Sequence, residues 1–148
     1  MTINRRHFIS ASAGITAAMS APMVFGASKP KVVIIGGGAG GATAARYIAK
    51  DSKGAIDVTL VEPTRSYYTC FFSNLYLGGF KEFDSIGHTY GKLANEYGIN
   101  VVHDWAVDVD SSGKSVTLAG GGTLSYDKLI LSPGIDFVDD SVPGWDLS

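Results

Sequence analysis

Three glycines and one carboxylate have the types and spacing needed to hold a phosphate-containing ligand. Gly36, Gly38 and Gly41 form the pattern Gly-x-Gly-x-x-Gly. In such a pattern the first glycine permits a sharp turn, the second lets a phosphate approach the backbone, and the third lets a helix pack closely on a strand. Glu62 follows roughly 20 residues after the last glycine, the spacing at which a carboxylate accepts hydrogen bonds from a ribose. Together these residues predict a dinucleotide site.

The segments around the glycines have the pattern of a strand, a tight turn and a helix. Four apolar residues, 32–35, run into Gly36, and a helix-forming segment covers residues 42–50. A second apolar strand, residues 57–61, ends at Glu62. The N–H groups and the dipole of a helix N-terminus favour a phosphate at that position. Glycine-rich turns also occur without a ligand, so this context favours dinucleotide binding over a ligand-free turn.

The rest of the sequence predicts an α/β fold. Residues 83–98 have apolar side chains at helical spacing, and residues 99–103 predict a further strand in the same parallel sheet. Residues 105–125 alternate and contain two glycine turns, which predicts a small antiparallel meander. Residues 128–131 form a last apolar strand before the turn Ser132-Pro133-Gly134. The fold class is therefore a Rossmann-like βαβ unit with a parallel sheet and a β-meander.

Composition and charge exclude several classes of function. The chain has 148 residues, is 45% hydrophobic and carries a formal net charge of −2. No basic run occurs outside the N-terminus, so nucleic acid is not an expected partner. His88 and His103 lack cysteine, histidine or carboxylate partners at ligand spacing, so no metal site is expected. Because a dinucleotide-binding unit usually opens a longer chain, we expect an N-terminal fragment.

Residues 1–28 resemble a twin-arginine export signal. Arg5 and Arg6 precede an uncharged run, residues 8–27, that is rich in alanine, serine and glycine. Several polar residues make this run too polar for a stable membrane span, although an uncleaved anchor or a disordered tail remains the alternative. We expect cleavage near Gly26 or Ser28, a periplasmic location, and a cofactor-binding domain over residues 29–148.

Cys70 is the sole cysteine and lies in an aromatic segment, residues 63–79. Ser73 is positioned to cap a short helix that ends at the pair Gly78-Gly79. Free cysteines are commonly buried as small hydrophobic residues, so composition alone favours a structural thiol in an aromatic-lined core loop.

The order of elements and the closing sequence Tyr-Asp-Lys-Leu-Ile-Leu-Ser-Pro-Gly (126–134) resemble the first FAD-binding half of the flavoprotein disulfide reductases, or pyridine nucleotide-disulfide oxidoreductases, which have two dinucleotide domains. The resemblance covers about residues 31–140. It implies that FAD is bound through Gly36, Gly38, Gly41, Glu62 and Gly134. The family typically has Ala-Thr-Gly where this chain has Ser132-Pro133-Gly134, a change that keeps the glycine and removes one backbone donor.

Within that superfamily the chain resembles the flavoprotein subunit of flavocytochrome c sulfide dehydrogenase. The likeness lies in Glu62-Pro63, Tyr67-Tyr68-Thr69-Cys70 and Ser73-Asn74, with further matches at residues 85–88 and 98–104. It implies a thioether between Cys70 and the 8α carbon of FAD, which replaces the structural-thiol interpretation.

The same resemblance implies that sulfide is the substrate and that a cytochrome c subunit accepts the electrons. The redox-active disulfide and the second nucleotide domain would lie beyond Ser148, so no catalytic residue is expected in this fragment. Two alternatives share the fold. One is a sulfide:quinone oxidoreductase-like protein that reduces membrane quinone, and the other is a non-catalytic exported flavoprotein that reactivates a sulfur-oxidising complex.

Overall fold

The computed structural model describes residues 28–136, so most of the predicted export signal lies outside the described residues. In chain order the elements are β1 (Lys31–Ile35), α1 (Ala39–Ser52), β2 (Asp57–Val61), β3 (Ser66–Tyr68), α2 (Ser73–Leu77), a 3₁₀ turn (Phe83–Ile86), β4 (Gly87–Thr89), α3 (Gly91–Tyr97), β5 (Asn100–Val102), β6 (Ala106–Asp110), β7 (Ser115–Leu118), β8 (Thr123–Ser125) and β9 (Lys128–Leu131).

A four-stranded parallel sheet in the order β5-β2-β1-β9 forms the centre of the domain. On one face Ile34 and Leu60 pack in a cluster with Ala45 of α1. On the other face Val33 packs with Val116 of β7. Both faces of the sheet are therefore covered, which explains why its strands are almost continuously apolar. The predicted Rossmann-like α/β fold is confirmed.

The predicted antiparallel meander is also present. Strands β6, β7 and β8 pair in that order, and the turns between them contain the two glycine sequences, residues 111–113 and 120–122. Val116 and Leu118 of β7 are buried against the main sheet. The meander therefore covers the face of the sheet that the helices leave open.

The prediction of one helix over residues 83–98 is wrong in its first half. Residues 83–86 form the 3₁₀ turn, and β4 follows, so helix begins only at Gly91. The cause is tertiary pairing, because β4 lies antiparallel to β3, with Tyr67 opposite His88. Ile86 and Tyr90 are buried as their spacing indicated, and Gly98 ends α3 with φ of 64°. The apolar pattern thus predicted burial correctly and the local conformation incorrectly.

Candidate functional site

The first and third glycines of the motif are required by the packing of the protein itself. Gly36 has φ of +98°, and its N–H donates to the carbonyl of Val61 over 2.9 Å. A Cβ atom on Gly36 would overlap the carbonyl of Ser132, and one on Gly41 would overlap the carbonyl of Gly36. These two glycines therefore let β1, α1 and the turn after β9 meet at one point.

The second glycine of the motif is not required by the packing of the protein. Gly38 has φ of −67°, which any residue adopts, and a Cβ atom there would meet no neighbour nearer than Cε2 of Tyr67 at 3.7 Å. Gly38 is the N-cap of α1, which has no side-chain cap and no acidic residue in its first turn. The first N–H groups of a helix have no intrahelical partner. This end of α1 is therefore open to an anion.

Four of the six predicted site residues line one cleft of about 390 Å³. These are Gly36, Gly38, Glu62 and Gly134. Gly41 is not among the residues that line the cleft, and its overlap with Gly36 shows that it acts in packing. Cys70 does not line the cleft either, but Tyr67 does, three residues earlier in the chain.

A second cleft, of about 260 Å³, shares Gly36, Glu62 and Pro133 with the first and extends to Trp105. Glu62 thus lies between the helix N-terminus and a partly apolar pocket. This suits an extended ligand with phosphates at the glycines and a nucleoside beyond them. A cleft of about 430 Å³ lies at the amino ends of the strands, beside Lys31 and Asp57. Ligands of parallel α/β sheets bind at the carboxyl ends of the strands, so the larger cleft is not the candidate site.

The carboxylate of Glu62 is held by donors on both oxygens. Its Oε2 accepts a hydrogen bond from the N–H of Gly37 over 2.7 Å. Its Oε1 accepts from the N–H of Thr64 at 3.0 Å and from the Thr64 hydroxyl at 2.6 Å. Partial burial raises the pKa of Glu62, but the bonds from Thr64 and Gly37 outweigh it, and the net pKa lies below the ordinary value. Glu62 is therefore a fixed anion at neutral pH.

Two further residues complete the surroundings of Glu62, and neither was assigned to the site from the sequence. Tyr90 is 5% exposed and donates its hydroxyl to the carbonyl of Gly37 over 3.0 Å. Burial and the charge of Glu62 raise the pKa of Tyr90 to about 12. Nδ1 of His103 lies 3.0 Å from the carbonyl oxygen of Glu62. Tyr90 gave only an apolar-face signal in the sequence, because its partner is a backbone atom far away in the chain.

Cys70 is exposed, so the interpretation of a buried thiol in a core loop is wrong. The thiol lies between β3 and α2, at the end of the ribbon that carries Tyr67. The predicted short helix is present as α2, but its N-cap is Phe72 in the left-handed conformation rather than Ser73. The Ser73 hydroxyl instead donates to the carbonyl of Cys70 over 2.8 Å.

Large apolar side chains near Cys70 are also exposed. Phe71, Phe72 and Phe80 are 63%, 67% and 80% exposed. Lys81 places its ammonium 5.8 Å from the centre of the Phe72 ring. These phenylalanines therefore form an exposed apolar surface beside Cys70 and contribute little to the core.

The range of residues 28–136 contains no group of three or more histidine, cysteine or carboxylate residues placed to hold a metal ion. It also contains no helix with the length and apolarity needed to cross a membrane.

Comparison with known families identifies the fold. Residues 30–146 match the family described as pyridine nucleotide-disulphide oxidoreductase. The chain belongs to this family. The resemblance drawn from the glycine motif and the closing strand is thus confirmed.

Among curated relatives, 44 residues are 52% identical to the flavoprotein chain of sulfide dehydrogenase (flavocytochrome c) from Chlorobaculum thiosulfatiphilum. That match covers 30% of this chain and 90% of the relative. The chain is also 30% identical over 105 residues to sulfide-quinone reductase from Aquifex aeolicus, over 70% of this chain and 24% of the relative. It therefore spans about a quarter of the length of that second relative.

Solved structures show the same fold. The sulfide:quinone oxidoreductase of Aquifex aeolicus superposes with a TM-score of 0.66 and 25% identity, over 74% of this chain and 25% of that one. The water-forming NADH oxidase of Lactobacillus brevis gives a TM-score of 0.69 and 25% identity, over 78% and 27%. The described domain corresponds to about a quarter of each protein.

Proposed function

We propose that this chain is the FAD-binding part of an exported flavoprotein that oxidises sulfide and passes the electrons to a cytochrome c subunit. The observation that carries the proposal is the 52% identity over 44 residues to a flavoprotein chain of sulfide dehydrogenase. The sulfide-quinone reductases among the relatives support the coarser statement, a flavoprotein oxidoreductase acting on sulfide.

The residues of the cleft fit the diphosphate and ribose of FAD. Gly38 leaves open space in front of an uncapped helix N-terminus, where backbone N–H groups would bind the diphosphate. Glu62 would accept a hydrogen bond from the adenosine ribose, and Gly134, with φ of +84°, would bring the turn after β9 to the same cleft. When bound, FAD supplies the electron transfer, while this part of the chain holds and orients it.

We further propose that Cys70 carries the flavin through a thioether to the 8α carbon. This S–C bond would replace the S–H bond of Cys70 and one C–H bond of the 8α methyl group, and the FAD itself would accept the two electrons. In support, the thiol is exposed and follows the strand that brings Tyr67 to the cleft. A tether would keep the cofactor bound outside the cytoplasm, where no pool replaces it.

Acid precipitation of the full-length protein tests the tether directly. Flavin fluorescence is measured in the washed pellet and in the supernatant, and the mass of the Cys70 peptide is determined by mass spectrometry. Flavin retained on that peptide, and lost to the supernatant in a Cys70→Ser variant, is the expected result. Flavin that is entirely in the supernatant of the unmodified protein contradicts the tether. Absence of flavin from both fractions contradicts FAD binding itself.

A quinone-linked enzyme is the second candidate, because the sulfide-quinone reductase match covers 70% of this chain. That protein would share the FAD site and differ in its electron acceptor. The two candidates are distinguished by supplying sulfide to the full-length protein and measuring the reduction of a soluble cytochrome c and of a quinone analogue.

Export by the twin-arginine route, with residues 1–28 as signal and residues 29–148 as the FAD domain, is part of the proposal. Its support is the sequence pattern at Arg5 and Arg6 followed by an uncharged run. The twin-arginine route exports folded proteins, which suits a protein that acquires its cofactor in the cytoplasm.

A further inference from the structure

Gly37, the residue between the first two motif glycines, is held by side chains on both of its polar backbone groups. Its N–H donates to Oε2 of Glu62 over 2.7 Å, and its carbonyl accepts the hydroxyl of Tyr90 over 3.0 Å. A Cβ atom on Gly37 would lie 2.7 Å from the Tyr90 oxygen and 2.8 Å from Cγ of Glu62. The backbone is therefore clamped in one place by residues from two other parts of the chain.

The side chains that hold Gly37 have further contacts of their own. Tyr90 is almost fully buried, and its ring centre lies 5.9 Å from that of His103. Nδ1 of His103 lies 3.0 Å from the backbone carbonyl oxygen of Glu62, so His103 contacts both the backbone of Glu62 and the ring of Tyr90. They come from the end of β2, the start of α3 and the residue after β5. Glu62 and Tyr90 thus hold the N–H and the carbonyl of Gly37, and His103 contacts both of these residues.

We propose that Tyr90 is a positioning residue that presets the glycine turn for the cofactor diphosphate, an inference that rests on the proposed function. Tyr90 lines a separate cleft of about 280 Å³ with Gly37 and Tyr67, and it does not line the cleft of Gly36 and Gly38, so we place its action on the diphosphate at Gly37. A turn that is already fixed does not have to be ordered when the ligand binds, and this raises affinity. Without the hydroxyl, the Gly37 carbonyl loses its anchor while the ring of residue 90 still fills the core.

Helix α3 offers a matched control. Tyr97, on the same helix, has its hydroxyl 3.0 Å from Nε of Arg46, away from the glycine turn. Removing either hydroxyl deletes one hydrogen bond and keeps one ring. If both hydroxyls had a purely structural role, Tyr90→Phe and Tyr97→Phe would have similar effects on the Kd for FAD. A positioning role predicts that only Tyr90→Phe weakens cofactor binding.

The experiment uses the full-length protein carrying Cys70→Ser, so that FAD is exchangeable. Flavin-free samples of the parent, Tyr90→Phe and Tyr97→Phe are titrated with FAD, and their unfolding in denaturant is measured in parallel. We expect Tyr90→Phe to raise the Kd for FAD about three- to tenfold, the effect of one lost hydrogen bond. Tyr97→Phe is expected to keep the Kd of the parent, whatever its effect on unfolding.

If the parent binds FAD and Tyr90→Phe binds it equally tightly, the inference is overturned and the proposed function stands. A folded parent that binds no FAD overturns both. Should Tyr90→Phe unfold, Gly37→Ala provides a second test, because its methyl group pushes the turn away from Tyr90 and Glu62. An unchanged Kd in Gly37→Ala would equally overturn the inference.

Discussion

The acceptor capacity of Glu62 limits how it can hold a ribose. A carboxylate offers about four lone-pair positions. Three are occupied by protein donors, two of them from Thr64 on Oε1 and one from Gly37 on Oε2. One position on Oε2 remains, so a second bond to the ribose requires the exposed Thr64 hydroxyl to turn away. In the proposed FAD complex Glu62 would therefore bond both the glycine turn and the ligand.

Glu62→Gln should weaken FAD binding by about 1–3 kcal/mol, since it replaces a charged acceptor and turns an NH₂ group toward existing donors. The measurement is FAD titration of the flavin-free full-length protein in the Cys70→Ser background. Glu96→Gln is the control, because Glu96 lies on the surface of α3 and only meets Lys92 at 3.9 Å. Equal affinity in the two variants would remove the ribose role from Glu62.

The pKa of Glu62 predicts how stability changes with pH. Its pKa in the folded protein lies below the ordinary value of 4.5, because the bonds from Thr64 and Gly37 favour the anion and outweigh desolvation. The charged carboxylate therefore stabilises the fold fully above pH 4.5, and this contribution is lost as pH falls through the folded-state pKa. We compare the free energy of unfolding of the flavin-free protein with that of its Glu62→Gln variant. The difference between them should be constant above pH 4.5 and should shrink below it. A difference that grows on acidification would contradict the lowered pKa.

At the scale of the elements, the strand-turn-helix unit contains two glycines that packing requires, Gly36 and Gly41, and one that it does not require, Gly38. Gly41→Ala should destabilise the flavin-free protein by about 1–3 kcal/mol, the usual effect of overpacking, because its methyl group overlaps the carbonyl of Gly36. Gly40→Ala is the matched control in the same helical turn, where a Cβ atom meets only the Ser132 hydroxyl at 3.0 Å. The free energy of unfolding of both variants is measured in denaturant. Equal stabilities would refute the packing role of Gly41.

Gly38→Ala should have the opposite profile. Its φ of −67° and the open space around it allow alanine without strain, so stability should stay close to that of the parent. The methyl group would stand where the diphosphate approaches, and the Kd for FAD should rise at least tenfold. A folded Gly38→Ala variant with the affinity of the parent would show that the phosphates bind elsewhere.

The sequence predicted the parts of this domain whose patterns are local. The strands β1 and β2, the helix after Gly38 and the meander follow from runs, alternation and glycine turns. The ribbon of β3 and β4 was missed, because three-residue strands that pair across some 20 residues carry no local pattern. Tyr90 was missed for the same reason, since its hydroxyl acts on a backbone carbonyl 53 residues away. Long-range contacts, rather than propensities, decide both features.

At the scale of the whole molecule, the first described residues lie on the side of the domain away from the proposed cofactor cleft. Lys29 forms an ion pair with Asp57 at 3.8 Å, at the edge where β1 and β2 begin. The cleft lies at the other end of β1, about 17 Å away for five extended residues. Lys29 therefore lies at the amino ends of the strands, and the proposed FAD cleft lies at their carboxyl ends.

The export proposal can be tested apart from cofactor binding. Replacing Arg5-Arg6 with Lys-Lys should leave the precursor in the cytoplasm with FAD bound, because the substitution alters the export signal and leaves the cleft intact. Cell fractionation, immunoblotting and the flavin content of the trapped precursor are measured, with Lys50-Lys53→Arg-Arg near the end of α1 as a control for basic substitutions elsewhere. Normal periplasmic recovery of the Lys-Lys variant would contradict twin-arginine export. A trapped precursor without flavin would contradict cofactor loading before export.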